Sequence, residues 1–306
     1  MTERLALLEF GSNAARFVLA RITPGSGYEL IRQERARTRL GSGSSRRRTA
    51  AVRNTVEAAA RFLRSVHDDR PPRVLAVGTA AVREDASARG LLAELRRMAS
   101  IEVEVLSGVE EARLGAEAAR ASLLLDDALV VDLGGGSMQL TRLRDSAVEP
   151  LGSLPLGAVR MTDRFLRHDP PRPGELRALR HEVRAYLAPH RLAEHRQVPL
   201  IGLGGTARAV ARLHLAAEPE NRSSVHGLRL TRQEVAARAV ELARLPVARR
   251  QWVPGLKAER ADIIVAGVII LEELLMQADQ DAFFVCDRGL RHGLLLRETF
   301  GSAVRG

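Results

Sequence analysis

Two apolar runs in this chain each carry an acid near the end and then turn on glycine. Leu5–Phe10 contains Glu9 and leads into Gly11-Ser12-Asn13. Ala128–Leu133 contains Asp132 and leads into Gly134-Gly135-Gly136-Ser137. Small residues after a strand let backbone N–H groups approach a phosphate. An acid at the strand end can hold a hard cation against that phosphate, directly or through water. A single turn of this kind is common. Two of them, starting at Gly11 and Gly134, read as a duplicated unit and predict a cleft for a polyanion and its metal.

Other residues add to this chemistry. Gly204-Gly205-Thr206 follows a third apolar run, Pro199–Leu203. Glu110 and Glu111 open a helical pattern after Ser107-Gly108-Val109, where acids are also favoured simply by the helix dipole. Arg83 stands just past Val77-Gly78-Thr79, although in so arginine-rich a chain a surface position is the default for any one of them. The eight histidines show no pair at i, i+4 spacing and receive no role. The apolar stripe Ile263–Leu271 reads as core or a dimer face.

Composition narrows the ligand. The net charge is +10, carried almost wholly by arginine, with Lys257 the only lysine. Guanidinium forks suit phosphate oxygens. Aromatic residues make up only 3%, which argues against bases stacked along a nucleic-acid strand. No apolar run approaches the roughly 18 residues of a membrane span. The single cysteine, Cys286, excludes an internal disulfide and a zinc site of several thiolates. A strand begins almost at once, so no signal peptide is expected, and a cytoplasmic setting fits.

These residues need positioning elements. The pattern predicts strands over 5–10, 16–22 and 28–35, a helix over 52–63, and a strand over 74–77. A helix over 91–98, a strand over 101–105 and a helix over 110–122 follow. Strands over 129–132, 139–144 and 148–154 begin the second half, then a proline-rich linker over 170–174 and a helix over 175–186. A strand over 199–203 with its helix, an apolar helix over 263–276, a strand over 283–286 and a final helix complete it. The 41–48 stretch reads as a polar loop, whose Arg46, Arg47 and Arg48 either steer a polyanion or are simply solvated. Each half thus gives an α/β domain with a mixed sheet, the first spanning 1–124 and the second 125–306.

Taken in order, the segments Gly11–Asn13, Val77–Arg83, Ser107–Leu114, Asp132–Ser137, Leu154–Arg160, Gly204–Thr206, Glu259–Asp262 and Asp287–Arg291 resemble the exopolyphosphatase / guanosine pentaphosphate phosphohydrolase (Ppx/GppA) family, in its short two-domain form. The resemblance implies two actin-like (ribonuclease H-like, ASKHA superfamily) domains with mixed sheets flanked by helices and an interdomain cleft. It implies hydrolysis of a terminal phosphoanhydride, with Glu111 orienting or activating water and Arg83 on a phosphate oxygen. Gly11, Ser12, Asn13, Gly134, Gly135, Gly136 and Ser137 would bind phosphate, with Gly204, Gly205 and Thr206 lining the site. Asp132 and Glu9 would hold Mg²⁺, and the protein would be a homodimer. Two positions depart from the family pattern. Glu9 stands where aspartate is usual, and Gln139 where a glutamate is usual. The expected activity is release of orthophosphate from inorganic polyphosphate. The alternatives are hydrolysis of pppGpp, a non-catalytic polyphosphate or alarmone sensor, and a kinase of the same superfamily.

Overall fold

A computed structural model describes residues 2–40, 45–67, 71–84, 88–145, 147–218, 220 and 223–301, without the side chains of 45–48 and 88. The chain forms two compact units, residues 1–114 with 290–306, and residues 115–289.

In the first unit, β1 (Glu3–Phe10), β2 (Ala14–Thr23) and β3 (Gly27–Arg37) form an antiparallel meander. The strands β4 (Arg73–Gly78) and β5 (Val103–Val105) extend it in parallel, giving the order β3-β2-β1-β4-β5. Alternation along β1 sends Ala6, Leu8 and Phe10 to one face and Leu5 and Leu7 to the other. The first face packs on α1 (Ser45–Val66) and α3 (Ala88–Ala99), where Phe17 stacks on Phe62 at 5.2 Å. The second face is covered by Leu290, Leu294 and Leu295 of α11 (Leu290–Phe300). Between β4 and α3 lies a short helix, α2 (Ala80–Glu84), and α4 (Gly108–Leu123) follows β5.

The second unit repeats the plan. The meander is β6 (Asp127–Leu133), β7 (Met138–Arg144) and β8 (Ala147–Leu154), and β9 (Leu200–Leu203) and β11 (Ala282–Val285) extend it in parallel. A sixth strand, β10 (Arg229–Thr231), pairs antiparallel at the edge. Leu129, Val131 and Leu133 face a core built with α5 (Ala158–Phe165), α6 (Pro173–Leu187), α7 (Gly204–Ala217), α8 (Arg232–Arg244) and α10 (Ile264–Gln277). A short helix, α9 (Val247–Arg250), follows α8. Ala128 and Val130 face Ala116 and Ala119 of α4 instead. Each unit therefore carries a mixed sheet with helices on both faces.

Two features differ from the sequence expectation. The division falls at 114/115 and 289/290 rather than 124/125, because α4 contributes to both units and α11 returns to the first. The 41–48 stretch is not all loop, since α1 begins at Ser45. Any steering by Arg46–Arg48 concerns side chains outside the described residues. No described helix is long and apolar enough to cross a membrane.

Candidate functional site

In the first unit the candidate residues gather at the C-terminal ends of β1, β4 and β5, the edge where open α/β sheets bind ligands. The Gly11-Ser12-Asn13 turn joins β1 to β2, and the Gly11 N–H closes it onto Ala14 O at 3.3 Å. Thr79, just after β4, ties the next strand end to it, with its N–H and hydroxyl donating to Phe10 O at 3.2 and 3.4 Å. Leu106 N–H in turn donates to Gly78 O at 2.9 Å, which draws in the exit of β5. Both side-chain amide atoms of Asn13 are buried without a hydrogen-bond partner. A buried amide left in that condition costs energy unless a ligand completes it.

Arg83 rides on α2, and two of its hydrogen bonds tie it to the residues after β5. Its Nη1 donates to Leu106 O at 2.6 Å and to Glu111 Oε1 at 2.5 Å. Glu111, in the first turn of α4, is only 7% exposed, and this pairing offsets part of the cost of burying its carboxylate. Glu110 does different work. Its Oε2 accepts from the Ser107 N–H and hydroxyl at 2.8 Å each, and its own N–H donates back to Ser107 Oγ at 3.2 Å. That is a capping box opening α4.

In the second unit, Gly134-Gly135-Gly136-Ser137 joins β6 to β7. The first turn of α5 takes up the loop's carbonyls. Ala158 N–H donates to Gly134 O at 3.0 Å, Val159 and Arg160 N–H to Gly135 O at 2.9 and 3.2 Å, and Arg160 Nε to Gly136 O at 2.8 Å. In a trans peptide the C=O and the following N–H point in opposite directions. The N–H groups of Gly135, Gly136 and Ser137 therefore point away from α5, as an anion nest requires. Gly157 permits the approach, since a Cβ there would lie 2.1 Å from Gly135 O.

Gln139 is the cross-strand partner of Asp132. Its Nε2 donates to Ser137 Oγ at 2.8 Å and to Ser153 Oγ at 3.3 Å, so the amide orients the loop serine. Gly204 opens α7 with φ +91, and a Cβ there would collide with Leu133 O at 2.3 Å. The fourteen-residue α7 thus presents the N–H groups of its first turn beside β6. Thr206, expected to line the site, is instead buried with its hydroxyl against Gly267 of α10, so its side chain is a packing element.

The metal expectation can be tested on these residues. Among the described residues no group of three or more His, Cys, Asp and Glu side chains is assembled. The Asp132 carboxylate is bordered by glycine, with virtual Cβ atoms on Gly204, Gly115 and Gly289 falling 2.8, 3.6 and 3.7 Å from its oxygens. A single carboxylate bordered by glycine suits Mg²⁺, which takes few protein ligands, keeps several waters and binds phosphate oxygens. Glu9 is placed differently. Its Oε1 lies 3.7 Å from Arg16 and its Oε2 3.3 Å from Arg291. The Arg291 guanidinium is pushed down to about 10, by burial and by Arg16 and Arg35, with Glu9 opposing. Burial pushes the Cys286 thiol up, which removes it as a nucleophile.

Sequence reasoning assigned no role to Arg16, Arg160, Arg260 or Arg291. Arg260 is 8% exposed, and its guanidinium covers Gly205, where a Cβ would meet it at 1.6 Å. The last three sit inside the segments Leu154–Arg160, Glu259–Asp262 and Asp287–Arg291, which was the available signal.

A profile of the Ppx/GppA phosphatase family matches residues 18–300. Exopolyphosphatase 1 of Mycobacterium leprae is 29% identical over 96% of this chain and 89% of its own length. Exopolyphosphatase 1 of Mycobacterium tuberculosis is 28% identical over 96% of this chain and 88% of its own. Among solved structures, the Aquifex aeolicus member of the Ppx/GppA family superposes with TM-score 0.76 at 27% identity, covering 97% of this chain and 98% of that one. A Cytophaga hutchinsonii exopolyphosphatase shares the fold, with TM-score 0.89 at 22% identity over 99% of both chains.

Proposed function

The chain belongs to the Ppx/GppA phosphatase family, and we propose that it is an exopolyphosphatase releasing orthophosphate from the ends of inorganic polyphosphate. The observation that carries this reading is the Arg83 pairing with the buried Glu111 at the strand ends that also hold the Gly11–Asn13 turn. A terminal phosphoryl group needs its equatorial oxygens stabilised and a water aligned with the bond that breaks. Arg83 supplies a charged donor for an oxygen. In the first unit the Gly11–Asn13 turn supplies N–H donors already fixed in place, which cost no reorganisation during reaction, and the Gly134–Ser137 turn gives the second unit an anion nest of its own. Glu111 accepts a proton from the attacking water as its oxygen bonds to phosphorus. The bridging P–O bond breaks, and the shortened chain leaves with its electron pair. Asp132 is the residue that would hold Mg²⁺, and when bound the ion would neutralise charge on the phosphate oxygens.

The test is phosphate release from long-chain polyphosphate and from pppGpp at equal concentration, with and without Mg²⁺. The proposal expects polyphosphate to be the better substrate. Glu111→Gln should lower kcat by about 10²–10⁴ fold with little change in melting temperature. A Glu111→Gln enzyme that turns over at the wild-type rate removes Glu111 from the mechanism.

A further inference from the structure

Glu9 sits where the family pattern has an aspartate. It lies in line with Leu5 and Leu7, on the sheet face covered by α11. Arg16 is its cross-strand partner on β2, and Arg35 is the partner of Arg16 on β3. Arg291, one residue into α11, closes over this row. The Glu9, Arg16 and Arg291 side chains are only 11%, 22% and 13% exposed. Two guanidinium groups therefore flank this carboxylate, and Arg35 adds a third positive charge that acts on Arg291. A divalent cation binding there would have to displace an arginine and remain beside the others, with little water to screen the repulsion.

We propose that Glu9 is not a metal ligand but a positioning residue, whose carboxylate holds Arg291 and Arg16 beside the Gly11–Asn13 turn. Its length is part of the device. An aspartate, one methylene shorter, would not span from β1 to both guanidinium groups. The buried, unpartnered amide of Asn13 marks the neighbouring turn as the ligand side. With Glu9 neutralised, Arg16, Arg35 and Arg291 repel one another, and Arg16, three residues after Asn13, swings out of place. Substrate affinity then suffers while the metal at Asp132 does not. Only this kinetic arm rests on the exopolyphosphatase reading.

The experiment compares wild type with Glu9→Gln, Glu9→Asp, Arg291→Gln, the Glu9→Gln/Arg291→Gln double variant and Asp132→Asn. Mn²⁺ is titrated into substrate-free protein and followed by electron paramagnetic resonance, and polyphosphate kinetics are recorded separately. Mn²⁺ affinity should stay within about twofold in Glu9→Gln but fall at least about tenfold in Asp132→Asn. KM should rise about tenfold in Glu9→Gln and in Arg291→Gln, with kcat within about threefold, and the double variant should be no worse than either single one. Glu9→Asp keeps the charge, should fall between, and serves in the metal titration if Glu9→Gln does not fold. Loss of Mn²⁺ binding in Glu9→Gln comparable to Asp132→Asn overturns the proposal, as does an unchanged KM in Arg291→Gln. Absence of phosphate release by the wild type would instead refute the activity, and the titration would still judge Glu9.

Discussion

Gly157→Ala is the sharpest available perturbation of the second glycine loop. Gly157 has φ −93 and ψ 148, a conformation alanine adopts without strain, so any effect is steric. The new Cβ would lie 2.1 Å from Gly135 O and 2.3 Å from the carbonyl carbons of Gly135 and Gly136. Real Cβ contacts begin near 3.0 Å, so the loop and the start of α5 must separate by about 0.9 Å. That movement stretches the Ala158, Val159 and Arg160 N–H bonds to the loop beyond hydrogen-bonding distance. At about 1 kcal/mol net for each, the loss is about 3 kcal/mol. Alanine's lower unfolded-state entropy returns up to about 1 kcal/mol, leaving about 2 kcal/mol of destabilisation. For a unit of this size the melting temperature should fall by about 4–8 °C. The larger effect is on rate. A shift of about 1 Å in a positioning element can cost about 10² in kcat/KM. Calorimetry and phosphate release measured on the same preparation separate the two effects. Gly25→Ala is the control, because its φ of +74 brings strain but its Cβ meets nothing within 4 Å. It should lose about 1 kcal/mol and no activity. A Gly157→Ala protein with wild-type melting temperature and kcat/KM would refute the argument that the loop is held against α5.

Two predictions concern stability away from this loop. The Glu175 carboxyl is held down at about 2, because burial, which opposes ionisation, is outweighed by hydrogen bonds from His168 and from the Arg172 and Arg167 N–H groups. Its stabilisation is complete above its ordinary value of 4.5 and is lost as pH falls through about 2. Urea unfolding of Glu175→Gln should therefore show a deficit of about 1 kcal/mol at pH 6 that vanishes near pH 2. Glu273, fully buried on α10, accepts from Arg180 Nη1 at 2.8 Å and from Arg184 Nε at 2.6 Å. Glu273→Gln should cost about 2 kcal/mol in urea unfolding, less than a wholly enclosed pair because Arg184 is half exposed. Equal stability of variant and wild type would show that the network contributes nothing net.

Much of the architecture is legible from local pattern. The meanders of both units and the long helices α1, α4 and α10 announce themselves through alternation or a continuous apolar run. The short helices do not. Arg83 rides on α2, whose five residues are too few to display a period. The eight-residue α5 follows a strand and a glycine, and its function as the buttress of the Gly134–Ser137 loop appears only in the fold. The helix α8 does carry a start signal, the capping box Thr231-Arg232-Gln233-Glu234, but its core contacts are just Val235, Ala239 and Leu242. A reading by apolar runs passes over so sparse a stripe. The candidate chemistry was legible as residue types after strands. The partners of Glu9 were not, because Arg291 lies 282 positions away and reaches Glu9 only through the return of α11. The packing role of Thr206 hid for the same reason, since Gly267 comes from a distant helix.

That return of α11 sets an order of events during synthesis. The second unit is continuous in sequence and can close as soon as residue 289 has left the ribosome. The first sheet cannot. Until α11 follows, Leu5, Leu7, Val18 and Ile22 lack the leucines that cover them, and they present an oily face to the cell through the whole translation of the other unit. The segment translated first is thus among the latest to be sealed.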